Sequence, residues 1–301
     1  MIIDTHAHLY WDSFKDDFDE VIQRSLDAGV TTIINVGVDV EKSEEALRQA
    51  QRISGERSRT IKLLERSSQA LIKAYSTIGL HPHEVLRYTQ GKLDVDVSIQ
   101  QDILVLEQIY QRASGKIVAV GECGLDYFFD HPGLLPSPIS LAQAKDLQRQ
   151  LFQAQIDLAK KLNLPLIVHC RDDRSKDPQN SEAWDEVLQM IDDHPTILHC
   201  YSGLPETTQK VLLMPNTYVS FAGNLTYPKN EYLRQALKII PLEKILVETD
   251  CPFLPPQSKR GQRNEPAYIT EVVQTIAEIK NLTLDKVEKV VYNNTKQLLK
   301  V

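Results

Sequence analysis

The segment Ile2-Ile-Asp-Thr-His-Ala-His8 is a short apolar run that ends in two histidines, and similar runs recur along the chain. These runs are rich in β-branched residues and alternate with segments of helical periodicity. They predict eight strands, at residues 2–8, 31–37, 75–80, 117–122, 166–169, 196–199, 218–222 and 245–250. Strands that alternate with helices pair in parallel, so eight such units predict a closed (β/α)8 barrel of the TIM type.

The periodicity predicts helices at residues 14–28, 42–53, 141–162, 182–191, 206–213, 231–238 and 267–279. A barrel of this type needs ~250 residues, which leaves roughly 50 for insertions in a single domain that spans residues 1–301. We expect an extra amphipathic helix within 54–73 and three loops that follow strands, at 128–140, 171–181 and 255–264. An open doubly wound sheet is the rival fold, but no glycine-rich turn follows the first strand.

The composition limits the classes of function. Lys and Arg total 34 against 41 Asp and Glu, a formal net charge of −7, which argues against a broad basic surface for nucleic acid. No run of 18 apolar residues and no basic, apolar leader is present, so we expect a cytoplasmic protein without membrane spans. The four cysteines have no C-x-x-C spacing and are expected to be reduced thiols. Nothing indicates an obligate protein partner.

Histidines and carboxylates lie at the ends of the predicted strands. His6 and His8 are two residues apart and therefore point to the same side of the sheet, which is the lumen in a barrel. The same reasoning places further N and O donors at the ends of strands four, five, six and eight: Glu122, His169, His199 and Asp250. These six residues predict a metal site at the C-terminal face of the barrel. A cysteine follows each of the four last donors, and alternation turns its sulfur away from the lumen.

Two inward-facing carboxylates are expected just outside this set of ligands. Asp4 points to the same side as His6, and Glu248 lies one layer below Asp250. A carboxylate in such a position most often orients a metal-bound imidazole.

Four other residues are candidates for substrate contact. His81 and His83 end strand three and face the same mouth. Arg171 lies two residues after His169, where it is either a phosphate contact or part of an ordinary loop salt bridge. Arg263 lies in a loop after strand eight, where it is either a substrate clamp or bonded within its own loop.

Taken together, these motifs resemble the TatD family of metal-dependent hydrolases, within the wider group of amidohydrolase-like barrels. The resemblance runs nearly end to end, through seven motifs in the family's order: Asp4-Thr-His-Ala-His8, Gly79-Leu-His-Pro-His83, Gly121-Glu-Cys-Gly-Leu-Asp126, His169-Cys-Arg171, His199-Cys-Tyr-Ser-Gly203, Glu248-Thr-Asp250 and Arg263-Asn-Glu-Pro266. It implies a deoxyribonuclease with 3′-5′ exonuclease activity on single-stranded DNA, and RNA as a possible second substrate.

The resemblance also implies how the ligands divide. One divalent ion would be held by His6, His8 and Asp250, a second by His169 and His199, and Glu122 would bridge them. The ions would be Mg²⁺, Mn²⁺ or Zn²⁺. Glu122 and Asp250 would be the catalytic carboxylates, with Asp250 accepting a proton. Since the chain is acidic, recognition of a short 3′ end is expected rather than tracking along a duplex.

Two alternatives stay open at this point. Some relatives of the family deacylate D-aminoacyl-tRNA, so an ester or amide hydrolase is the first alternative. A catalytically silent metal-binding scaffold is the second. The charged segments at 54–73 and 171–181 are longer than is usual in the family, and they bear on substrate choice rather than on the ligands.

Overall fold

The computed structural model describes residues 1–55, 72–89, 94–129 and 139–301. Its eight parallel strands form one sheet in sequence order, from β1 to β8. The strands are β1 (Ile2–Ala7), β2 (Val30–Asn35), β3 (Lys73–Ile78), β4 (Ile117–Asp126), β5 (Leu166–Arg171), β6 (Thr196–Leu198), β7 (Thr217–Phe221) and β8 (Ile245–Val247). A parallel bridge between Ala7 and Cys251 joins the two ends of the sheet, so the predicted (β/α)8 barrel is confirmed.

Helices follow the strands and cover the outside of the barrel. The described helices are α1 (Phe18–Asp27), α2 (Val40–Gly55), α3 (Val85–Tyr88), α4 (Val95–Arg112), α5 (Leu141–Leu162), α6 (Glu182–Ile191), α7 (Pro205–Leu212), α8 (Glu231–Ile239), α9 (Ile269–Lys280) and α10 (Leu284–Leu299). The bounds predicted for α5 and α6 are those observed. Helices α3, α4 and α10 are additions to the prediction. Among the described residues, no helix is both long and apolar enough to cross a bilayer.

Two apolar clusters hold the barrel together. The larger lies between the strands and the surrounding helices. The smaller fills the lumen with residues such as Ile34, Ile167, Ile197 and Leu246, and Leu299 of α10 packs against it. Because Ile167 and Ile197 lie two residues before His169 and His199 on the same strand face, the apolar layer supports a polar layer above it.

Several strand ends differ from the prediction, and parts of two predicted insertions lie outside the described residues. Strand β4 continues to Asp126, four residues further than predicted, whereas β8 ends at Val247 and β6 at Leu198. His199 and Asp250 therefore lie just past their strands. The extra helix predicted within 54–73 falls almost entirely on residues 56–71, outside the described residues, as does most of the loop at 128–140.

Candidate metal centre

The mouth of the barrel contains a cavity of about 910 Å³ at the C-terminal ends of the strands. Most of the side chains predicted to bind metal or substrate meet there with aromatic and charged residues from the loops. The lining includes His8, Trp11, His81, His83, Glu122, Phe128, His169, Arg171, Arg174, His199, Tyr232, Asp250 and Phe253. This is the end of a (β/α)8 barrel at which active sites form.

His6 and His8 lie side by side because β1 alternates its side chains. Their Nε2 atoms are 3.1 Å apart. The main chain at both residues is fixed by the closure of the barrel: the amide of Asp250 donates to the His6 carbonyl, and the amide of His8 donates to the Cys251 carbonyl. On its far side, Nδ1 of His8 lies 3.0 Å from the Val36 carbonyl. That contact leaves Nε2 free to face the centre.

Glu122 occupies the middle of the site. Its Oε2 lies 3.4 Å from His6 Nε2, while its Oε1 lies 2.9 Å from His199 Nε2 and 3.0 Å from His169 Nδ1. Burial opposes ionisation of this carboxyl, but His199, His169 and His6 hold its pKa well below the usual value. Glu122 is therefore a carboxylate with its two oxygens directed at different groups of imidazoles.

A bulge in β4 and close strand contacts place Glu122. The pairing of β4 with β5 slips by one residue between Val120 and Cys123. Bulges of this kind redirect side chains next to active sites. Gly124, two residues after Glu122, has a positive φ of 132°, and a side chain there would collide with the His169 carbonyl. Glycine at this position lets β4 and β5 approach closely.

Asp126 is a functional candidate that the sequence reasoning did not select. Its Oδ2 lies 3.1 Å from His169 Nε2 and 3.3 Å from His83 Nε2. Although burial opposes protonation of His169, Asp126 and Glu122 raise its pKa to about 9. Alternation along β4 could have revealed Asp126, since residues 122, 124 and 126 share one face.

His199 has a comparable carboxylate behind it. Oε1 of Glu248 accepts a hydrogen bond from the Cys200 amide and lies 3.4 Å from His199 Nδ1. Both His199 Nδ1 and Glu248 Oε2 are buried without a hydrogen-bond partner among the described residues. A carboxylate beside a metal-bound imidazole commonly orients that imidazole, and this role stays the prediction for Glu248.

Asp4 has a different neighbourhood. Its Oδ2 accepts from the Thr249 hydroxyl at 2.6 Å, and its Oδ1 accepts from the amides of Thr249 and His6 at 3.0 and 3.2 Å. Burial raises the pKa of Asp4 to about 7. Asp4 therefore joins β1 to the chain after β8 through its hydrogen bonds and reaches His6 through the main chain.

Asp250 reaches the centre from beyond the end of β8. Its backbone is in the left-handed region, with φ of 58°, which is uncommon for a residue other than glycine. Its Oδ1 lies 3.4 Å from His8 Nε2 and 3.7 Å from His6 Nε2. Burial opposes ionisation, but His8, His6 and His199 lower the pKa of Asp250. The residue is thus a carboxylate held against the two histidines of β1.

His81 and His83 form the wall next to His169. The Nδ1 atom of His81 accepts from the His83 amide at 3.2 Å, so its proton lies on Nε2. Nε2 of His81 is 3.7 Å from Glu122 Oε1. Burial lowers the pKa of His81 to about 3, which makes it a neutral donor directed into the cavity.

The two arginines that line the cavity differ in whether they are free to bind a ligand. Arg171 is exposed in the cavity wall, where its guanidinium lies over the Phe128 ring at 3.8 Å. Arg174 also lines the cavity, but it donates to the carbonyls of Asn180 and Ser202. Arg171 is therefore the arginine that can reach a ligand in the cavity.

Arg263, predicted as a substrate contact, is paired with the loop after β1. Its guanidinium donates to both carboxylate oxygens of Asp17, each at 2.7 Å, and stacks over the Phe14 ring. It is not part of the described cavity lining. The guanidinium is therefore bonded mainly to a different loop rather than within its own, and it fixes the segment after β1.

The cysteines are free thiols, three of them buried. Burial raises the pKa of Cys123, Cys170 and Cys251 well above the usual value, so the thiols stay protonated. Cys200 departs from the expected outward position. Its φ is 44°, it is partly exposed, and it lies in the cavity wall, where its sulfur accepts from Asn224 at 3.4 Å.

The donor set fits divalent metal ions. Three groups of side chains have ligand atoms within 4.8 Å of one another: His6, Glu122 and His199; His6, His8 and Asp250; and His81, Asp126 and His169. The donors are imidazole nitrogens and carboxylate oxygens, a set that suits Zn²⁺ and Mn²⁺. The carboxylates can also bind Mg²⁺. The Nε2 atoms of His6 and His8 lie 3.1 Å apart, and both face Glu122 Oε2 and Asp250 Oδ1 at 3.4 to 3.7 Å.

The barrel and its ring of imidazoles and carboxylates define a metal-dependent hydrolase. Residues 3–300 match the model of the family described as TatD related DNase. The chain belongs to this family.

Individual relatives agree with this assignment. The chain is 31% identical, over the full length of both proteins, to an uncharacterised metal-dependent hydrolase, YabD of Bacillus subtilis. It is 28% identical to the 3′-5′ ssDNA/RNA exonuclease TatD of Escherichia coli, over 92% of this chain and 90% of that protein. The crystal structure of YjjV, a TatD homologue of Escherichia coli, superposes with a TM-score of 0.75 at 27% identity, covering 100% of this chain and 98% of YjjV.

Proposed function

We propose that this protein is a divalent-metal-dependent exonuclease that removes nucleotides from the 3′ end of single-stranded DNA, with RNA as a second substrate. The observation that carries the proposal is the position of Glu122, with one oxygen toward His6 and the other toward His169 and His199. The exonuclease activity named for the TatD relative supports the choice of substrate.

Two ions would be held by the residues that surround Glu122. His6, His8 and Asp250 would hold one, His169 and His199 the other, and Glu122 would bind both. Bound divalent ions lower the pKa of a water molecule and stabilise negative charge on a phosphodiester as it reacts. Asp126 and Glu248 would keep His169 and His199 in the orientation and tautomer that a ligand needs.

Asp250 would accept the proton of the attacking water. Its Oδ1 is directed at His8 and His6, which leaves Oδ2 for this role. Because the neighbouring histidines lower its pKa, Asp250 is ionised at neutral pH and ready to take a proton.

His81 and Arg171 would hold the non-bridging oxygens of the phosphate. His81 offers a neutral Nε2–H donor next to Glu122. Arg171 offers a permanent charge with several donors, and its stacking on Phe128 holds the guanidinium in place. Both act on charge that develops on the phosphate during the reaction.

The proposal is tested with purified protein on a 5′-labelled single-stranded oligonucleotide, with Mg²⁺ or Mn²⁺ and with EDTA. We expect a ladder of products shortened from the 3′ end, and no reaction in EDTA. Glu122→Gln, which keeps the shape of the side chain but removes its charge, is expected to bind less than one ion per chain by elemental analysis and to be inactive. Rapid cleavage of closed circular DNA would contradict the end-directed reaction.

D-aminoacyl-tRNA is assayed in parallel because the same centre could hydrolyse an ester. Metal-dependent release of the D-amino acid, without shortening of DNA or RNA, would replace the exonuclease proposal with a deacylase. Two ions bound per chain without hydrolysis of any of these substrates would favour the scaffold.

A further inference from the structure

Two aromatic side chains are exposed on the rim of the cavity. Trp11 is 40% exposed and Phe253 is 47% exposed, and both line the cavity. The other large apolar side chains that are exposed among the described residues are aliphatic, and none of them lines the cavity. Exposed aromatic rings at the entrance of a binding site indicate contact with a ligand.

The two rings form a corner. Their centroids are 5.9 Å apart and their planes meet at 82°. In this arrangement the rings do not stack on each other, so a flat group can lie on the face of one ring and against the edge of the other. The Phe253 centroid is 6.1 Å from the His8 ring, so the corner is next to the metal centre.

The backbone holds this corner in place. The amide of Trp11 donates to the His8 carbonyl, and the amide of Phe253 donates to the Asp250 carbonyl at 2.9 Å. The Asn264 side chain, 1% exposed, donates to the Phe253 carbonyl at 2.6 Å. Each aromatic residue is therefore hydrogen-bonded through the main chain to a candidate ligand of the same ion, three residues before it in the chain.

The other aromatic residues of the cavity are less available. One face of Phe128 is covered by the Arg171 guanidinium. Tyr232 is half-buried, with Arg174 over its ring at 5.9 Å. The rings of Trp11 and Phe253 carry no cation among the described residues, and each is at least 40% exposed, although Trp11 also stacks with Tyr10 at a centroid distance of 6.2 Å.

We propose that Trp11 and Phe253 form a stacking site for the nucleobase next to the scissile phosphate. This inference rests on the proposed exonuclease function and specifies how that function selects its substrate. Stacking on an aromatic ring tolerates any base, because every base has a π-face. The site needs an unpaired, unstacked base and therefore favours single strands over duplexes.

The kinetic test compares an ordinary oligonucleotide with one whose last two 3′ nucleotides carry tetrahydrofuran in place of the base. Stacking on one aromatic ring changes binding by about 5- to 150-fold, so we expect wild-type kcat/KM to fall roughly 10-fold on the baseless substrate. Trp11→Ala/Phe253→Ala is expected to lose the same factor on the ordinary substrate and nothing further on the baseless one. Trp11→Phe/Phe253→Tyr is expected to restore the preference for a base.

Ile239→Ala is the matched control, since Ile239 is 43% exposed, apolar and outside the cavity lining. Equal rates of the wild type on both substrates would overturn the stacking site, as would a double alanine variant that cuts the ordinary substrate like the wild type. Failure of the wild type to cut either substrate would instead remove the exonuclease proposal.

A binding measurement tests the stacking site independently of catalytic activity. The chain has two tryptophans, and Trp184 is completely buried, so quenching of fluorescence by a ligand reports on Trp11. We expect a nuclease-resistant phosphorothioate oligonucleotide to quench the wild type, and its baseless version or the Trp11→Phe variant to show no quenching. Equal quenching by both oligonucleotides would overturn the proposal.

Discussion

His169 is held between two carboxylates, Glu122 at Nδ1 and Asp126 at Nε2. We expect Asp126→Asn to weaken metal binding about 10- to 100-fold, since the carboxylate behind a ligand imidazole fixes its orientation and basicity. At saturating metal the variant should still bind the full number of ions, because Asp126 is not among the proposed ligands.

Metal titration followed by elemental analysis checks this prediction. Asp157→Asn is the control, since Asp157 is an exposed carboxylate on α5 that accepts only from Gln153 among the described side chains. An unchanged metal affinity in Asp126→Asn would mean that His169 is oriented by its packing alone.

The candidate ligands could be predicted from the sequence because a strand exposes every second residue to one side. That rule placed His6 and His8 on one side, and the predicted end of strand four placed Glu122 in the same layer, without knowledge of the strand pairing. It could not place Arg263, since the partner of a long side chain in a loop depends on which distant loop lies next to it. Here that partner is Asp17, 246 residues away.

Arg263 is expected to contribute to stability rather than to catalysis. Its hydrogen bonds, together with Arg24, lower the pKa of Asp17 to about 2. The ordinary pKa of Asp is about 3.9, so ionised Asp17 stabilises the fold above that pH, and this contribution is lost as the pH falls through about 2. Because the Asp17 side chain is more than one third exposed, solvent screening limits the contribution to about 1 kcal/mol.

Arg263→Gln should therefore lower the free energy of unfolding by about 1 kcal/mol at pH 7, and by progressively less below pH 4. The value of kcat/KM on single-stranded DNA should stay within threefold of the wild type. Urea unfolding at several pH values and steady-state kinetics measure the two effects. A large loss of kcat/KM with unchanged stability would instead support a role of Arg263 in binding the substrate.

At the level of elements, α4 and α10 were missed for different reasons. The start of α4, Val95-Asp-Val-Ser-Ile99, alternates β-branched and polar residues as a strand does. The Asp94 side chain, which accepts from the Asp96 amide, is what begins a helix there. Helix α10 follows α9 without an intervening strand. A pattern in which one helix follows each strand therefore does not predict it.

Helix α10 is attached to the bottom of the barrel through Asn294. Its side-chain amide donates to the carbonyls of Leu242 and Ile245, each at 2.9 Å, and it is buried. Asn294→Leu would leave two carbonyls without this donor, at a cost of about 1–3 kcal/mol. Asn293→Leu, at the exposed neighbouring position, is the control and should change stability by about 0.5 kcal/mol or less. Urea unfolding monitored by circular dichroism measures both, and equal effects would contradict the role of Asn294.

At the level of the whole molecule, the net charge of −7 restricts how a polyanion is bound. In the described cavity wall, Arg171 is available to bind a phosphate, whereas Arg174 is bonded to carbonyls. The same wall contains three acids, Asp39, Glu84 and Asp172. Each phosphate neutralised by a cation contributes about −0.7 to the slope of log K against log salt on single strands, so we expect a slope of about −1.

Fluorescence anisotropy with a phosphorothioate oligonucleotide at constant Mg²⁺ and increasing KCl gives this slope. Arg171→Gln should bring it close to zero. A slope steeper than about −3 would reveal a basic track along the surface outside the cavity.

The closure of the barrel joins residues that are far apart in the chain: Asp4 and Thr249, whose side chains hydrogen bond, are separated by 245 positions. Asp250 lies directly after this bond and faces His6 and His8. During synthesis, a ribosome must therefore release the chain as far as Asp250 before the last ligand of the centre can reach the first. If the proposed function holds, a nascent chain therefore gains its hydrolytic activity only once the barrel has closed.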